Sequence, residues 1–281
     1  MSYYRTPVRQ RIRPQGGRQS GCLNPRLLMA LGLAAFALIS YFGSAQLNPV
    51  TGETQYVSLS REQEVALGLQ AAPEVSAQYG GPDRSQDVQA FLDAVGIRLV
   101  DSGIARGSYP FEFTLLADAQ TVNAFALPGG PVFMTAALYD RLTTEDQVAA
   151  VLAHEIVHVI GRHGAEQMAQ MELTQGLTGA VVLATYDPEN PTSQQAAYIA
   201  QMVGQLVNMK FGRADEIESD RVGVCLMLSA GYDPNAMVEV MEILAAASGG
   251  ARPPEFLSTH PDPGNRIQQI QDAISNPSYC P

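Results

Sequence analysis

The feature that most constrains this chain is an uncharged apolar stretch near its N-terminus. Residues 27–42 read LLMALGLAAFALISYF, and they follow six arginines and no acidic residue. Such a stretch inserts in a lipid bilayer, whose hydrocarbon core is spanned by roughly 17 to 25 apolar residues. Because cationic residues remain on the cytoplasmic side of a membrane segment, residues 1–26 are predicted to be a basic cytoplasmic leader. The rest of the chain is then expected on the opposite side of the membrane.

Segment 27–43 is compatible with either a transmembrane anchor or a signal sequence. Gly43-Ser44-Ala45 resembles a signal-peptidase site, and the apolar run is short for a membrane span. The basic leader, however, is long for a cleaved signal, and we therefore favour a retained anchor. Residues 44–60 are polar and contain Pro and Gly, which is typical of a linker. A single domain is expected over residues 61–281.

Composition excludes several classes of protein. Six of the 17 basic residues lie before residue 45, so the remainder carries 11 basic and 28 acidic residues, and a nucleic-acid-binding surface is not expected. Three cysteines are too few for a disulfide-built scaffold. Cys225 and Cys280 are the only thiols beyond the apolar stretch, and an oxidising compartment would permit a bridge between them. Alternatively, Cys225 is a small core residue among its apolar neighbours.

The hydrophobic periodicity predicts an α+β domain that is mostly helical and contains a small β-sheet. The predicted extended segments are 111–116, 122–127 and 132–135, the last two joined by a Pro-Gly-Gly-Pro turn. Thr144 and Gln147 are placed as in a capping box at the start of a helix that continues to Gly161. The other predicted helices are 60–69, 87–100, 163–185, 194–209, 214–230 and 235–247.

The helix beginning near Thr144 contains the motif that carries chemistry. His154-Glu155-Ile156-Val157-His158 places two imidazoles four residues apart on one helix face, so that both can reach one metal ion. Glu155 lies beside this pair, where it can contact a water molecule without itself binding the metal. The arrangement is typical of a catalytic zinc site with Glu155 as the general base.

A catalytic zinc ion needs a third protein ligand from elsewhere in the chain. His163 is five residues beyond His158 and points away from the pair, so we reject it as a ligand. In the charged segment 213–221, Glu216 and Asp220 share a helix face, which suits one ligand and one carboxylate that accepts a hydrogen bond from a ligand imidazole. Spacing alone leaves Glu218 open as the ligand.

These residues resemble the M48 family of zinc metallopeptidases. The resemblance extends from about Glu64 to Arg266 and rests on HEIVH followed by Glu216-x-x-x-Asp220, together with four further segments. Those segments are EVALG from 64, NAFALPGG over 123–130, AHEIVHVIGRH ending at His163, and the element from Ser258 to Arg266. The resemblance implies a zincin-like metallopeptidase domain and one zinc ion. It also implies His154, His158 and Glu216 as metal ligands and Glu155 as the catalytic carboxylate, which favours Glu216 over Glu218.

The resemblance and the topology together imply a zinc endopeptidase that cleaves unfolded or misfolded envelope proteins. The expected location is the bacterial inner membrane with the domain in the periplasm, or the periplasm alone if the signal is cleaved. Asn123, Ala124 and Phe125 are expected to form a sheet edge that pairs with an extended substrate, beside Gly129 and Gly130 of the turn. The alternative function is a zinc-stabilised, chaperone-like assembly module with little proteolysis.

His260 lies in a proline-rich loop and is assigned to the active site in one of two roles. In the first role it donates to the oxyanion that forms during hydrolysis, since such a reaction needs a donor besides the metal. Alternatively, its neutral imidazole occupies the fourth zinc position until substrate displaces it. The two roles predict opposite effects of removing the side chain.

Overall fold

A computed structural model describes residues 25–185, 212–248, 254–261, 264–277 and 280 of the 281-residue chain. The predicted helix 194–209 and nearly all of the basic leader lie outside these residues. Over the part described, the chain is mainly helical with two small sheets, which agrees with the predicted α+β class.

The apolar stretch forms helix α1 (Pro25–Gly43), which is long and apolar enough to cross a membrane. The next residues form an antiparallel hairpin, β1 (Ala45–Leu47) and β2 (Thr54–Tyr56). Segment 44–60 was predicted to be a linker, but its hairpin is attached to the domain by buried side chains. Asn48 Nδ2 donates to the carbonyl of Ile160 at 3.0 Å, and Gln55 donates to that of Gly161. Both carbonyls lie at the end of the helix that carries the HEIVH motif.

Helices α2 (Arg61–Gln78) and α3 (Gln86–Ser102) precede the main sheet. The sequence predicted that the first of these helices ends near Leu69, ahead of Pro73, whereas α2 continues to Gln78. Ser60 caps α2 as part of a capping box with Gln63. At Gly68, α2 lies so close to the carbonyl of Pro128 that there is no room for a Cβ atom. This contact fixes the Pro-Gly-Gly-Pro turn against α2.

The main sheet contains β3 (Glu112–Leu116), β4 (Ala124–Ala126) and β5 (Pro131–Thr135) in the order β3-β5-β4. The central strand β5 is buried along its whole length, as its apolar sequence requires. It pairs in parallel with β3 and in antiparallel with β4. The small sheet and its tight turn therefore match the prediction, and β4 is an edge strand among the described residues.

A short helix α4 (Ala136–Tyr139) leads to α5 (Glu145–Ile160), which is buried from Gln147 to its C-terminal end. Thr144 caps α5 by accepting from the N–H of Gln147 at 3.2 Å. The predicted capping box is only half formed, because Gln147 Oε1 accepts from the N–H of Thr143 instead. A helix buried on all sides explains why its sequence is apolar around the two histidines.

Helix α6 (His163–Thr185) follows α5 directly, and α7 (Arg213–Ala230) packs along α5. A Cβ atom at Gly223 of α7 would lie 2.7 Å from Met237 Cε and 3.6 Å from the backbone nitrogen of His154. Glycine at this position therefore makes room for the Met237 side chain, while α7 contacts the backbone of α5 at an ordinary van der Waals distance. Glu216 and Asp220 share the face of Gly223, at intervals of four and three residues, and so point toward the HEIVH helix.

The C-terminal elements complete the core around α5. They are α8 (Ala236–Ala247), α9 (Phe256–Thr259) and α10 (Arg266–Ser275). Cys225 of α7 forms a disulfide with Cys280, which confirms the predicted bridge and ties the C-terminal tail to α7. Cys225 is also buried, so both properties considered for it from the sequence hold.

Candidate metal centre

Helix α5 places His154 and His158 one turn apart on a single face. Their Nε2 atoms are 3.0 Å apart, and both side chains are buried. This is the arrangement that the i, i+4 spacing predicts, because a helical turn brings such residues together.

Helix α7 brings Glu216 to the same point. Its two carboxylate oxygens lie 3.5 Å from His154 Nε2 and 3.6 Å from His158 Nε2, and the side chain is fully buried. With His260, these residues place four potential ligand atoms within 4.8 Å of one another. Two imidazoles and a carboxylate are a donor set that suits zinc.

The carboxylate of Glu155 also indicates that the site suits a zinc ion. It is fully buried, and neither oxygen has a hydrogen-bond partner among the described residues. Burial raises the pKa of Glu155 above its usual value, although His260 and His154 oppose this shift. A buried carboxyl group without a partner is costly unless something else at the site satisfies it. A zinc ion with its water would provide both a charge and a donor here.

Asp220 and Arg266 form a buried ion pair behind the ligands. Asp220 Oδ1 accepts from His154 Nδ1 at 3.0 Å, as predicted, so that Nε2 of His154 faces the cluster. Arg266 donates to both oxygens of Asp220, at 2.7 and 2.8 Å, and its Nη1 lies 2.9 Å from Glu216 Oε2. Arg266 thus holds two carboxylates in place, a role that the sequence analysis did not assign to it. The only signal was its place at the end of the family-like element from Ser258.

Electrostatics at the site favour a bound cation. Burial lowers the pKa of His154, but the hydrogen bonds with Asp220 and Glu216 outweigh burial and raise it to about 9. Burial raises the pKa of Glu216, but the facing histidines His260 and His154 lower it by more. The net result is a pKa well below the usual value of a glutamate. For His158, burial and then the charge of His154 lower the pKa well below its usual range. Carboxylates that stabilise a proton on His154 would also stabilise a metal cation at Nε2.

His163 is placed beside His158 and not among the ligand atoms, which agrees with its rejection as a ligand. Its Nδ1 lies 3.0 Å from His158 Nδ1, and its Nε2 lies 2.7 Å from Glu218 Oε2. If His163 Nε2–H donates to Glu218, its Nδ1 accepts from His158 Nδ1–H, so that Nε2 of His158 is the unprotonated nitrogen that can bind metal. No sequence pattern predicted this series of hydrogen bonds. Glu218, which spacing alone could not separate from Glu216, contacts His163 and not the ligand cluster.

His260 is fully buried within the cluster. Its Nδ1 lies 3.0 Å from Glu216 Oε1 and 3.3 Å from His154 Nε2, and its Nε2 lies 3.6 Å from Glu155 Oε1. Its ring stacks on Phe256, with centroids 4.3 Å apart, at the other end of the short helix α9. The loop histidine is therefore brought to the site by tertiary packing, as its assignment to the active site required.

The residues predicted to bind substrate have different environments. Asn123 is buried and its side chain donates to Glu255 Oε1 at 3.2 Å, so it is used within the fold. Ala124 is buried, whereas Phe125 is partly exposed and stacks on Phe133 across the sheet. Gly129 and Gly130 have positive φ values, and a Cβ atom on either would lie 2.4 Å from backbone of α2 or of Pro110. Both glycines are thus required by the turn itself.

Comparison with known proteins indicates which family this chain belongs to. A model of peptidase family M48 matches residues 84–274. The β-barrel assembly-enhancing protease of Escherichia coli K12 is 34% identical over 189 residues, which are 65% of this chain and 38% of that protein. The mitochondrial metalloendopeptidase OMA1 of Schizosaccharomyces pombe is 32% identical over 240 residues, which are 83% of this chain and 68% of that protein. Human mitochondrial OMA1 is 26% identical over 265 residues, 87% of this chain and 49% of that protein.

The chain thus spans well under half of the bacterial relative and about two thirds of the yeast one. The family match covers more than half of this chain and includes the HEIVH helix, Glu216, Asp220, His260 and Arg266. The chain therefore belongs to peptidase family M48.

Proposed function

We propose that this chain is a zinc-dependent endopeptidase whose catalytic domain occupies residues 61–281. The observation that carries the proposal is the buried Glu155 carboxylate, which has no hydrogen-bond partner among the described residues and follows the ligand His154 directly in the chain. Family membership supports the same conclusion. Both named groups of relatives are called proteases or metalloendopeptidases.

In this mechanism, His154, His158 and Glu216 hold one zinc ion. When bound, zinc polarises the scissile carbonyl and lowers the pKa of water toward about 7. Glu155 then accepts the proton of the attacking water on a carboxylate oxygen and later donates it to the leaving amine. Asp220 and His163 each accept from a ligand imidazole Nδ1–H and so keep both Nε2 atoms directed at the metal.

His260 has two roles to be separated by experiment. Contact of its Nδ1 with Glu216 and His154 supports the role of a fourth ligand that blocks the site until substrate displaces it. The 3.6 Å approach of its Nε2 to Glu155 supports the role of oxyanion donor, which needs a position beside the reacting carbonyl. His260→Ala raises basal turnover in the first case, and lowers it by about 100- to 1000-fold in the second.

The proposed substrates are extended or unfolded polypeptides. Strand β4 is an edge strand in the described sheet and packs beside α5, so a peptide could pair with it and approach the metal ligands. We further propose envelope proteins as the substrates and the bacterial inner membrane as the location, with the domain in the periplasm. The name of the Escherichia coli relative refers to β-barrel assembly, which supports envelope proteins as substrates.

The second candidate function is a zinc-stabilised assembly module. The observation that favours it is His260, because a fourth protein ligand is typical of a closed, structural zinc site. Such a site has no use for Glu155, whereas the peptidase requires it. Cys225, the nearest thiol to the ligand helices in sequence, is already in a disulfide and supplies no ligand.

The decisive experiment measures casein hydrolysis and zinc content of the full chain in detergent. Glu155→Gln is expected to lower turnover by about 100- to 10,000-fold while zinc remains at one ion per chain. Glu242→Gln, an exposed carboxylate on α8, is the matched control and should retain activity. Equal activity of Glu155→Gln and the control would refute the peptidase mechanism. Zinc-loaded protein without hydrolysis, together with unchanged client binding in Glu155→Gln, would instead support the assembly module.

A further inference from the structure

Helix α1 has one face packed on the protein and the rest exposed. The packed positions are Ala30, Ala34, Ala37 and Tyr41, which recur at intervals of three and four residues along a single stripe. The remaining apolar side chains are solvent-exposed in the described fold: Leu27, Leu28, Met29, Leu31, Leu33, Phe36, Leu38, Ile39 and Phe42. A lipid environment suits a continuous apolar surface of this kind.

The stripe on α1 packs against α6 in antiparallel orientation. A Cβ atom on Gly176 would lie 2.7 Å from Ala37 Cβ, and one on Gly179 would lie 3.6 Å from Leu33 Cδ2. Tyr41, at the end of α1, lies next to Glu166 and Gln170, closer to the start of α6. Small residues on both helices, such as Ala37 facing Gly176, are typical of helix packing within membranes, where close approach of the backbones supplies the attraction.

The sequence of α6 changes character along its length. Its N-terminal half carries His163, Glu166 and Glu172, whereas residues 173–185 contain no charged side chain. Val181 is 58% exposed, although it lies in this uncharged half. The hydroxyl of Thr174 donates to the carbonyl of Gln170 at 2.9 Å, which satisfies it within the helix. A partly exposed, uncharged half-helix beside a membrane segment is suited to lipid.

A cluster of aromatic side chains marks the boundary between the two halves. Tyr41 stacks on Tyr56 of β2 with ring centroids 4.7 Å apart, and Phe42 contacts both rings edge-on. Tyrosine is enriched at the level of lipid headgroups, because its ring is apolar and its hydroxyl is polar. The cluster lies at the level of Gln170, just before the uncharged half of α6.

We propose that residues 173–185 of α6 enter the bilayer beside α1, as a second membrane-inserted segment of this chain. The two helices then form an antiparallel pair in lipid, with the tyrosine cluster at the headgroups. Removal of α1 at Gly43-Ser44-Ala45 would expose Gly176, Gly179 and their neighbours. The peptide bond that a signal peptidase would cut after Ala45 also lies in the hairpin, where Ala45 pairs with Tyr56. The pairing therefore requires that α1 is retained.

Insertion of α6 fixes the height of the metal centre above the membrane. His163, which contacts the ligand His158, is seven residues from Gln170, or about 10 Å along the helix axis. The centre is thus held close to the bilayer surface. A consequence that rests on the proposed peptidase function is that polypeptide segments adjacent to the membrane are its substrates.

Labelling of single cysteines in proteoliposomes tests the insertion and needs no enzymatic activity. In a Cys22→Ser background, Val181→Cys is compared with Ile97→Cys on α3, since Val181 is 58% and Ile97 is 54% exposed. A water-soluble maleimide, present on both sides of the vesicles, is expected to react with Val181→Cys at least about ten times more slowly, because water is excluded from the bilayer core. Addition of denaturing detergent should abolish the difference. Equal rates in intact vesicles would overturn the proposal.

Cross-linking tests the helix pair independently. Leu33→Cys with Gly179→Cys should be joined by a short bismaleimide cross-linker in membranes, since a Cβ atom on Gly179 would lie 3.6 Å from Leu33 Cδ2 without a clash. Leu33→Cys with Ile97→Cys is the matched control and should not cross-link. Failure of the first pair, with normal labelling of each single variant, would show that α1 and α6 do not pair. Because neither assay measures hydrolysis, loss of the peptidase hypothesis would leave both results unchanged.

Discussion

His154 and His158 are one turn apart on the same helix and face the same point, but they are supported by different kinds of group. Behind His154 is the buried ion pair of Asp220 and Arg266. Behind His158 is a second imidazole, His163, which in turn contacts Glu218, whose side chain is 16% exposed. On the His154 side a buried carboxylate contacts the ligand imidazole directly, whereas on the His158 side another imidazole lies between the ligand and the carboxylate.

The two ligand histidines of one motif are therefore oriented by groups whose loss has different effects on folding. The Asp220–Arg266 pair gives strong orientation, but each member depends on the other because a single buried charge is expensive. The His163–Glu218 chain ends near solvent, so water can partly replace a lost partner. We therefore expect changes on the His154 side to affect both folding and metal binding, and changes on the His158 side to affect mainly metal binding.

The largest effect is expected for Asp220→Ala. This change leaves Arg266 buried without its main partner and frees His154, so the free energy of unfolding should fall by about 3 to 5 kcal/mol. Zinc affinity should fall by about 10- to 100-fold, because the imidazole is no longer oriented. Thermal unfolding and competitive zinc titration in detergent measure the two effects. Glu242→Ala on α8 is the control and should change stability by less than about 0.5 kcal/mol.

Stability after zinc removal should depend on pH through His154. Its pKa is raised to about 9, so the proton stabilises the metal-free fold fully below the unfolded value of 6.5, and this stability is lost as pH rises through 9. Chelator-treated protein should therefore unfold more easily at pH 9.5 than at pH 6.5, by up to about 3 kcal/mol. Zinc-loaded protein should show a smaller change. A metal-free protein of equal stability at both pH values would contradict the charge assigned to the His154 side.

On the other side, His163→Phe removes the acceptor for His158 Nδ1–H and a partner of Glu218, but the Glu218 carboxylate is partly exposed and can be hydrated. Zinc affinity should fall by about tenfold with little change in the free energy of unfolding. His163→Gln retains a side-chain acceptor and should recover part of the affinity. The proposed contrast fails if His163→Phe destabilises the fold as much as Asp220→Ala does.

The smallest effect is expected for Glu218→Gln. The amide still accepts a hydrogen bond from His163 Nε2–H, and the site is partly exposed, so zinc affinity should fall by less than about fivefold. Competitive zinc titration measures the zinc affinity of this variant and of Glu216→Gln. The second variant alters a proposed ligand and should lose far more affinity. Similar losses in the two variants would mean that Glu218, and not only Glu216, contacts the metal.

Much of the site was predictable because it depends on local periodicity. The i, i+4 spacing of His154 and His158 determines their common face, and the same rule brings Glu216 and Asp220 to one side of α7. The membrane segment, the small sheet and its glycine turn were likewise expected from composition and turn chemistry. These features follow from interactions within one element or between neighbouring ones.

Tertiary structure decided which distant groups meet. Spacing could not separate Glu216 from Glu218; the orientation of α7 against α5 sends the first to the ligand histidines and the second to His163. Arg266 reaches Asp220 from a helix 46 residues further along the chain, and no local pattern indicates that contact. Likewise, the apolar stretch by itself predicts a membrane segment, but only its packing on α6 shows which part of the domain contacts it. Such contacts depend on how whole helices pack, which residue spacing within a single helix does not encode.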